Sequence, residues 1–85
     1  MREGKILIID DDPDITEAMS VVLRNKGYNV RVAHDSDQGR ERLAEMKPDL
    51  IILDVMMRTS QEGFEFSREI KQDARFKDIP ILMLT

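Results

Sequence analysis

The stretch Lys5-Ile6-Leu7-Ile8-Ile9-Asp10-Asp11-Asp12-Pro13 decides the fold. Lys5 to Ile9 is a short apolar run of β-branched character with no polar alternation, the pattern of a strand buried on both faces inside a parallel sheet. Three aspartates end it abruptly. Asp12 followed by Pro13 suits a helix N-cap with proline at the first helical position, and Ile15, Ala18, Met19, Val22 and Leu23 then recur at helical spacing. Gly27 is placed to close that helix as a left-handed cap.

Working outward, Tyr28-Asn29-Val30-Arg31-Val32 alternates apolar and polar residues, which predicts a strand with one exposed face at a sheet edge. Asp35 to Asp37 offers caps for a second helix reaching about Met46, with Leu43 and Met46 inward. Gly39 is expected to weaken it by about 1 kcal/mol relative to alanine. Pro48 separates this helix from a second continuous apolar run, Leu50-Ile51-Ile52-Leu53-Asp54. A polar stretch from Arg58 to Gly63 precedes a third helix carrying Phe66 and Ile70, and Pro80 opens the last run, Ile81-Leu82-Met83-Leu84-Thr85. The order βαβαβαβ implies an α/β domain with right-handed crossovers, a parallel sheet and helices on both faces. No repeat, low-complexity tract or linker interrupts it, so residues 1–85 are read as one domain.

Composition narrows the function. A chain of 85 residues buries roughly 60–65% of its unfolded surface, so its stability is marginal, and with no cysteine there is no disulfide to reinforce it. Thirteen basic against seventeen acidic residues give a net charge of −4, which argues against direct binding of nucleic acid. The lack of cysteine also excludes thiolate metal sites. No apolar run approaches the roughly 18 residues of a membrane span, and Met1-Arg2-Glu3-Gly4 does not open a signal peptide, so a cytoplasmic location is expected.

The three apolar runs end in Asp10-Asp11, Asp54 and Thr85. In an open parallel sheet the ligand crevice lies beyond the carboxyl ends of the strands. If these strands are neighbours, two or three carboxylates meet there and repel by up to about 4 kcal/mol per pair at 4 Å and an effective dielectric of 20. A hard divalent cation removes that penalty, and Mg2+ favours one or two carboxylates, other oxygen donors and a phosphate. The pattern therefore points to an acid pocket that holds Mg2+ and a phosphoryl group.

The stretches Lys5 to Pro13, Lys47-Pro-Asp-Leu-Ile-Ile-Leu-Asp-Val-Met-Met57 and Asp78-Ile-Pro-Ile-Leu-Met-Leu-Thr85 together resemble the receiver domain of two-component response regulators, in the right order and spacing across the whole chain. The resemblance implies a three-layer, flavodoxin-like parallel sheet with strand order 2-1-3-4. It implies that Asp54 accepts a phosphoryl group from a phosphohistidine of a sensor histidine kinase or phosphotransfer protein. It also implies Mg2+ held by Asp10, Asp11, Asp54 and the backbone carbonyl of Met56, with Asp11 a direct ligand and Asp10 acting largely through water. Thr85 matches the hydroxyl that hydrogen-bonds the phosphoryl oxygen and moves on switching. Such a domain is a phosphoprotein that catalyses only its own phosphotransfer and dephosphorylation, and is not otherwise an enzyme.

Three departures stand out. Arg58 replaces the family's usual proline, and the segment from Asp54 to Gly63 aligns one residue longer than usual. The third concerns the end: the family continues with a helix, a fifth strand bearing an essential lysine and a last helix. By that reading the chain is C-terminally truncated, phosphotransfer is impaired, and apolar surface is exposed on the first and third strands. The fourth strand becomes an open edge, and the chain is expected to be a homodimer, swapped or edge-paired, or to be completed by another chain. Two other readings compete. One is a non-signalling fragment that keeps the fold and assembles through its edge. The other is a phosphatase of the haloacid dehalogenase type, with Asp10 as nucleophile and Asp12 as general acid, which leaves Asp54 without a role. A calcium loop from Asp10 is rejected because Ile15 and Val21 stand where glycine and glutamate are needed. His34 is read as an ordinary loop residue, and Glu62 to Glu69 as a solvated helix face.

Overall fold

A computed structural model describes residues 4–55 and 60–84. The elements run β1 (Lys5–Ile9), α1 (Pro13–Asn25), β2 (Asn29–Ala33), α2 (Ser36–Met46), β3 (Leu50–Asp54), α3 (Ser60–Gln72) and β4 (Ile81–Leu84). All pairings are parallel, and the sheet order is β2-β1-β3-β4. The two continuous apolar runs are the central strands: Leu7, Ile8, Ile9, Ile51 and Leu53 have no exposed surface. Each such side chain removed from water stabilises the fold by roughly 1.5–3 kcal/mol.

Alternate strand residues feed two cores of unequal size. Leu7, Ile9, Ile51 and Leu53 meet Leu43 and Met46 of α2, Phe66 and Ile70 of α3, and Phe76. On the other face Ile6, Ile8, Val30 and Ile52 pack against Met19 and Leu23 of α1. This second layer holds only α1 among the described residues, and α1 lies over β2 and β1. The consequence differs from the sequence expectation. The strands stay buried, whereas α1 itself leaves Ile15, Val21 and Val22 about half exposed, and Leu82 of β4 is 53% exposed. A shallow apolar groove of about 340 Å³ runs between Ala18, Met19, Val22 and Leu23 and the strand residue Ile52.

The expected caps are present. The Asp12 carboxylate accepts the N–H groups of Asp14 and Ile15, Asp35 accepts that of Gln38, and Gly27 takes φ +97° after α1. Three boundaries or roles change. β2 runs from Asn29 to Ala33, one residue later than its alternation suggested, because Asn29 N–H enters the ladder on Gly4 and Ala33 carbonyl receives Asp10 N–H. Helix α3 starts at Ser60, so the polar stretch is partly helical and Gly63 lies inside the helix. A Cβ at Gly63 would sit 2.5 Å from Val55 Cα and 2.9 Å from the Asp54 carbonyl oxygen, so glycine is required where α3 crosses the end of β3. Gly39 is likewise a packing residue: a Cβ there would meet the Phe66 ring at 2.9 Å and Ile9 at 3.2 Å. Its supposed helix penalty is outweighed by this close approach.

Candidate functional site

The site forms where β1 and β3 end side by side. Ile9 is in register with Leu53, so Asp10 and Asp54 emerge from adjacent parallel strands. Asp11 follows on the turn into α1. One carboxylate oxygen from each of Asp10, Asp11 and Asp54 lies within 4.8 Å of the others. Asp10 is 3% exposed, Asp54 is half-buried and Asp11 is open to solvent. Asp12, the third aspartate of the run, is engaged as the α1 cap.

Electrostatically the cluster is unbalanced. Burial pushes the Asp10 carboxyl above its ordinary value, the hydrogen bond from Asp12 N–H to Asp10 Oδ1 at 2.9 Å opposes this, and the negative charges of Asp54 and Asp11 raise it further. Desolvation and like charge thus disfavour the ionised form. Oxygen-only donors crowded in this way suit a small hard divalent cation. The backbone beneath is held firmly. Asp10 N–H donates to Ala33 carbonyl at 3.0 Å, its carbonyl accepts from His34 Nδ1 at 3.1 Å, and Val55 N–H donates to Leu84 carbonyl at 3.2 Å.

Residues 6–85 match the family model of the response regulator receiver domain. The chain belongs to that family. It is 43% identical over 81 residues to the DNA-binding dual master transcriptional regulator RpaA of a Synechocystis strain, an alignment covering 95% of this chain and 33% of the relative. It is 36% identical over its full 85 residues to the DNA-binding response regulator MtrA of Mycolicibacterium smegmatis, covering 35% of that protein. The chain therefore spans about a third of the length of these curated relatives. Among solved structures, the N-terminal receiver domain of a response regulator from Methanoculleus marisnigri superposes with a TM-score of 0.90 at 38% identity, covering 96% of this chain and 66% of that one. The chemotaxis response regulator CheY4 of Vibrio cholerae gives 0.86 at 34% identity, covering 94% and 66%.

The receiver domain thus has the flavodoxin-like order that the motifs implied, and its acid cluster is compatible with the cation site of such domains. Of the residues named from sequence, Asp10, Asp11 and Asp54 come together, while Met56, Arg58 and Thr85 lie outside the described residues. The face from Glu62 to Glu69 is solvated at Glu65 and Glu69, as expected, although Glu69 also receives two hydrogen bonds from Arg40 at 2.7 and 2.8 Å. Glu62 departs from it: half-buried, its carboxylate accepts from Ser36 Oγ at 2.9 Å and Ser36 N–H at 3.3 Å. His34 and Gly63 were missed as supports of the pocket. Each acts through one atom position that depends on strand register or helix placement, and neither leaves a mark in residue type or spacing.

Proposed function

We propose that this chain is the phosphoacceptor of a two-component signalling pathway, with Asp54 receiving a phosphoryl group from the phosphohistidine of a sensor histidine kinase or phosphotransfer protein. The observation that carries this reading is the convergence of Asp10, Asp11 and Asp54 within 4.8 Å at the ends of two adjacent strands. An oxygen of Asp54 attacks phosphorus in line with the departing imidazole nitrogen, the P–N bond breaks and an acyl phosphate forms. Asp10, Asp11, Asp54 and the Met56 carbonyl are the residues that would hold Mg2+, which when bound offsets charge on the transferring phosphoryl oxygens. Asp10 is fixed for this by Asp12 N–H, and the hydroxyl of Thr85 is assigned to the phosphoryl group. The domain acts on itself alone and turns over no separate substrate.

Asp12 argues against the phosphatase reading, since Oδ1 of its carboxylate caps α1 by accepting two helix N–H groups. Labelling with a small-molecule phosphodonor tests the assignment: Asp54→Asn abolishes modification, whereas loss of modification only in Asp10→Asn with retention in Asp54→Asn would reverse it.

Partners follow from the two sheet edges. On β2 the outward carbonyls of Val30 and Val32 are covered by Arg24 and Arg42, at 2.9 and 3.3 Å. Among the described residues β4 (Ile81–Leu84) is the other edge strand, with Leu82 exposed and its neighbours half-buried. An uncovered apolar edge recruits another strand. This edge is accordingly assigned to pairing with another strand, in a homodimer, edge-paired or swapped, or with a second chain, and a monomeric mass by sedimentation at micromolar concentration would sink this assignment. Such assembly is compatible with phosphoacceptance and does not need it. With a net charge of −4 these residues are assigned no nucleic-acid contact. No described helix is long and apolar enough to cross a membrane, and a cytoplasmic site of action fits a kinase-fed phosphoacceptor.

A further inference from the structure

We propose that His34 is a positioning residue of the acid pocket, holding the Asp10-Asp11 turn through the main chain of Asp10; the proposal rests on the cation reading of that pocket. Ile9 is in register with Ala33, so Asp10 stands opposite His34, and Asp10 N–H makes the ladder bond to Ala33 carbonyl. In a parallel ladder the next donor, to the Asp10 carbonyl, is the N–H of residue 35. The chain has already turned away there, because Asp35 is the N-cap of α2. The imidazole of His34 takes its place, with Nδ1 at 3.1 Å from that carbonyl.

A carbonyl oxygen only accepts, so Nδ1 carries the proton and Nε2 is left toward solvent. The main chain that carries the ring is itself held, since the backbone N–H of His34 donates to Gln38 Oε1 at 2.9 Å. Both main-chain groups of Asp10 are thus tied to residues 33 and 34. The next two residues present the exposed carboxylate of Asp11 and the N–H that Asp12 donates to Asp10 Oδ1. Freeing the Asp10 carbonyl lets this turn rotate and spreads two of the three carboxylates. Groups one step behind a ligand commonly change metal affinity by about 10–100-fold. His34 acts through the backbone, so the effect expected is at the low end.

The test uses the 85-residue chain and three variants. Asparagine places its amide nitrogen two bonds from Cβ, where Nδ1 lies, whereas glutamine places it one carbon farther out. In a Mg2+ titration followed by amide NMR, His34→Ala and His34→Gln should weaken binding on the order of 10-fold. His34→Asn should stay within about twofold of wild type by the same standard. Without metal, the imidazole nitrogen shifts of wild type should report the Nδ1–H form, and exchange of the Asp12 amide should quicken in His34→Ala and not in His34→Asn. Unchanged affinity in His34→Ala, equal rescue by glutamine, or an Nε2–H ring overturns the proposal. If the wild type binds no Mg2+, the cation reading fails by itself, and the tautomer and the Asp12 exchange still decide whether His34 holds the turn.

Discussion

Two clusters of charge in this molecule use the same residue types to opposite ends. At the ends of β1 and β3, Asp10, Asp11 and Asp54 crowd together, and burial raises the Asp10 pKa. Between α2 and α3, Arg40 lies 5.4 Å from the Phe66 ring centroid, pairs with Asp37 at 2.8 Å and forks onto Glu69, whose pKa is lowered chiefly by those hydrogen bonds. One cluster gathers like charges; the other joins opposite ones. Like charges held together by ordered backbone make a place for chemistry, and opposite ones make a fastening.

The largest effects separate the supports of the two clusters. Gly63→Ala drives a methyl into Val55 Cα and the Asp54 carbonyl, both backbone, so α3 or the end of β3 must move. A loss of about 3 kcal/mol is expected, together with weakened Mg2+ binding. Gly39→Ala meets the edge of the Phe66 ring and the tip of Ile9, which can yield, so about 1–2 kcal/mol is expected with Mg2+ affinity unchanged. Urea unfolding with and without Mg2+ measures both; equal losses of affinity would erase the distinction.

A second experiment tests the crowding of carboxylates directly. Mg2+ at a hundredfold over its dissociation constant should stabilise the wild type by about 2.7 kcal/mol. Asp54→Asn should remove that gain and, in metal-free buffer, stabilise the chain by about 1 kcal/mol, the interaction of unit charges some 4 Å apart in a water-like medium. A metal-free variant less stable than wild type would show that the pocket stores no repulsion.

How far sequence alone reaches differs between these regions. β1 and β3 are readable because a strand buried on both faces must be apolar without interruption, and the aspartates that end them meet once the two pair in parallel with Ile9 beside Leu53. The α1 stripe is readable as apolar, but not as half exposed, because Ile15 and Val22 follow the helical period whether or not anything covers them. The roles of Gly63, Gly39 and His34 need coordinates. Each depends on a close approach between segments set by helix placement or strand register. Glu62 and Glu69 have the composition of a solvated face, which Glu69 keeps; only the packing of α3 beside α2 shows that Glu62 turns to Ser36 and that Glu69 meets Arg40.

Acid titration separates the clusters by sign. Asp10 has a folded pKa above its ordinary 3.8, so the folded chain binds this proton more tightly than the unfolded one. Its contribution is greatest below 3.8 and is lost as pH rises through the folded value. Glu69 has a folded pKa below 4.5, so its contribution is present above 4.5 and is lost as pH falls through the folded value. Acidifying the metal-free chain from neutrality should therefore first stabilise it through Asp10 and only later weaken it through Glu69. In Asp10→Asn the initial rise should vanish, and saturating Mg2+ should suppress it in wild type.

The smallest effect is expected at the clamp. Arg40 and Glu69 keep 45% and 49% of their side-chain surface exposed, so solvent screens the pair despite its fork geometry. Glu69→Gln should cost about 0.5 kcal/mol, and 1 M salt should remove most of that difference. Arg40→Ala should cost somewhat more, because it also strips the guanidinium from the Phe66 ring, a contact worth about 0.5–1 kcal/mol at an exposed site. The comparison sharpens if salt abolishes the Glu69 effect yet leaves a residue of the Arg40 effect. It breaks if either substitution changes Mg2+ affinity, since the fastening would then be part of the pocket.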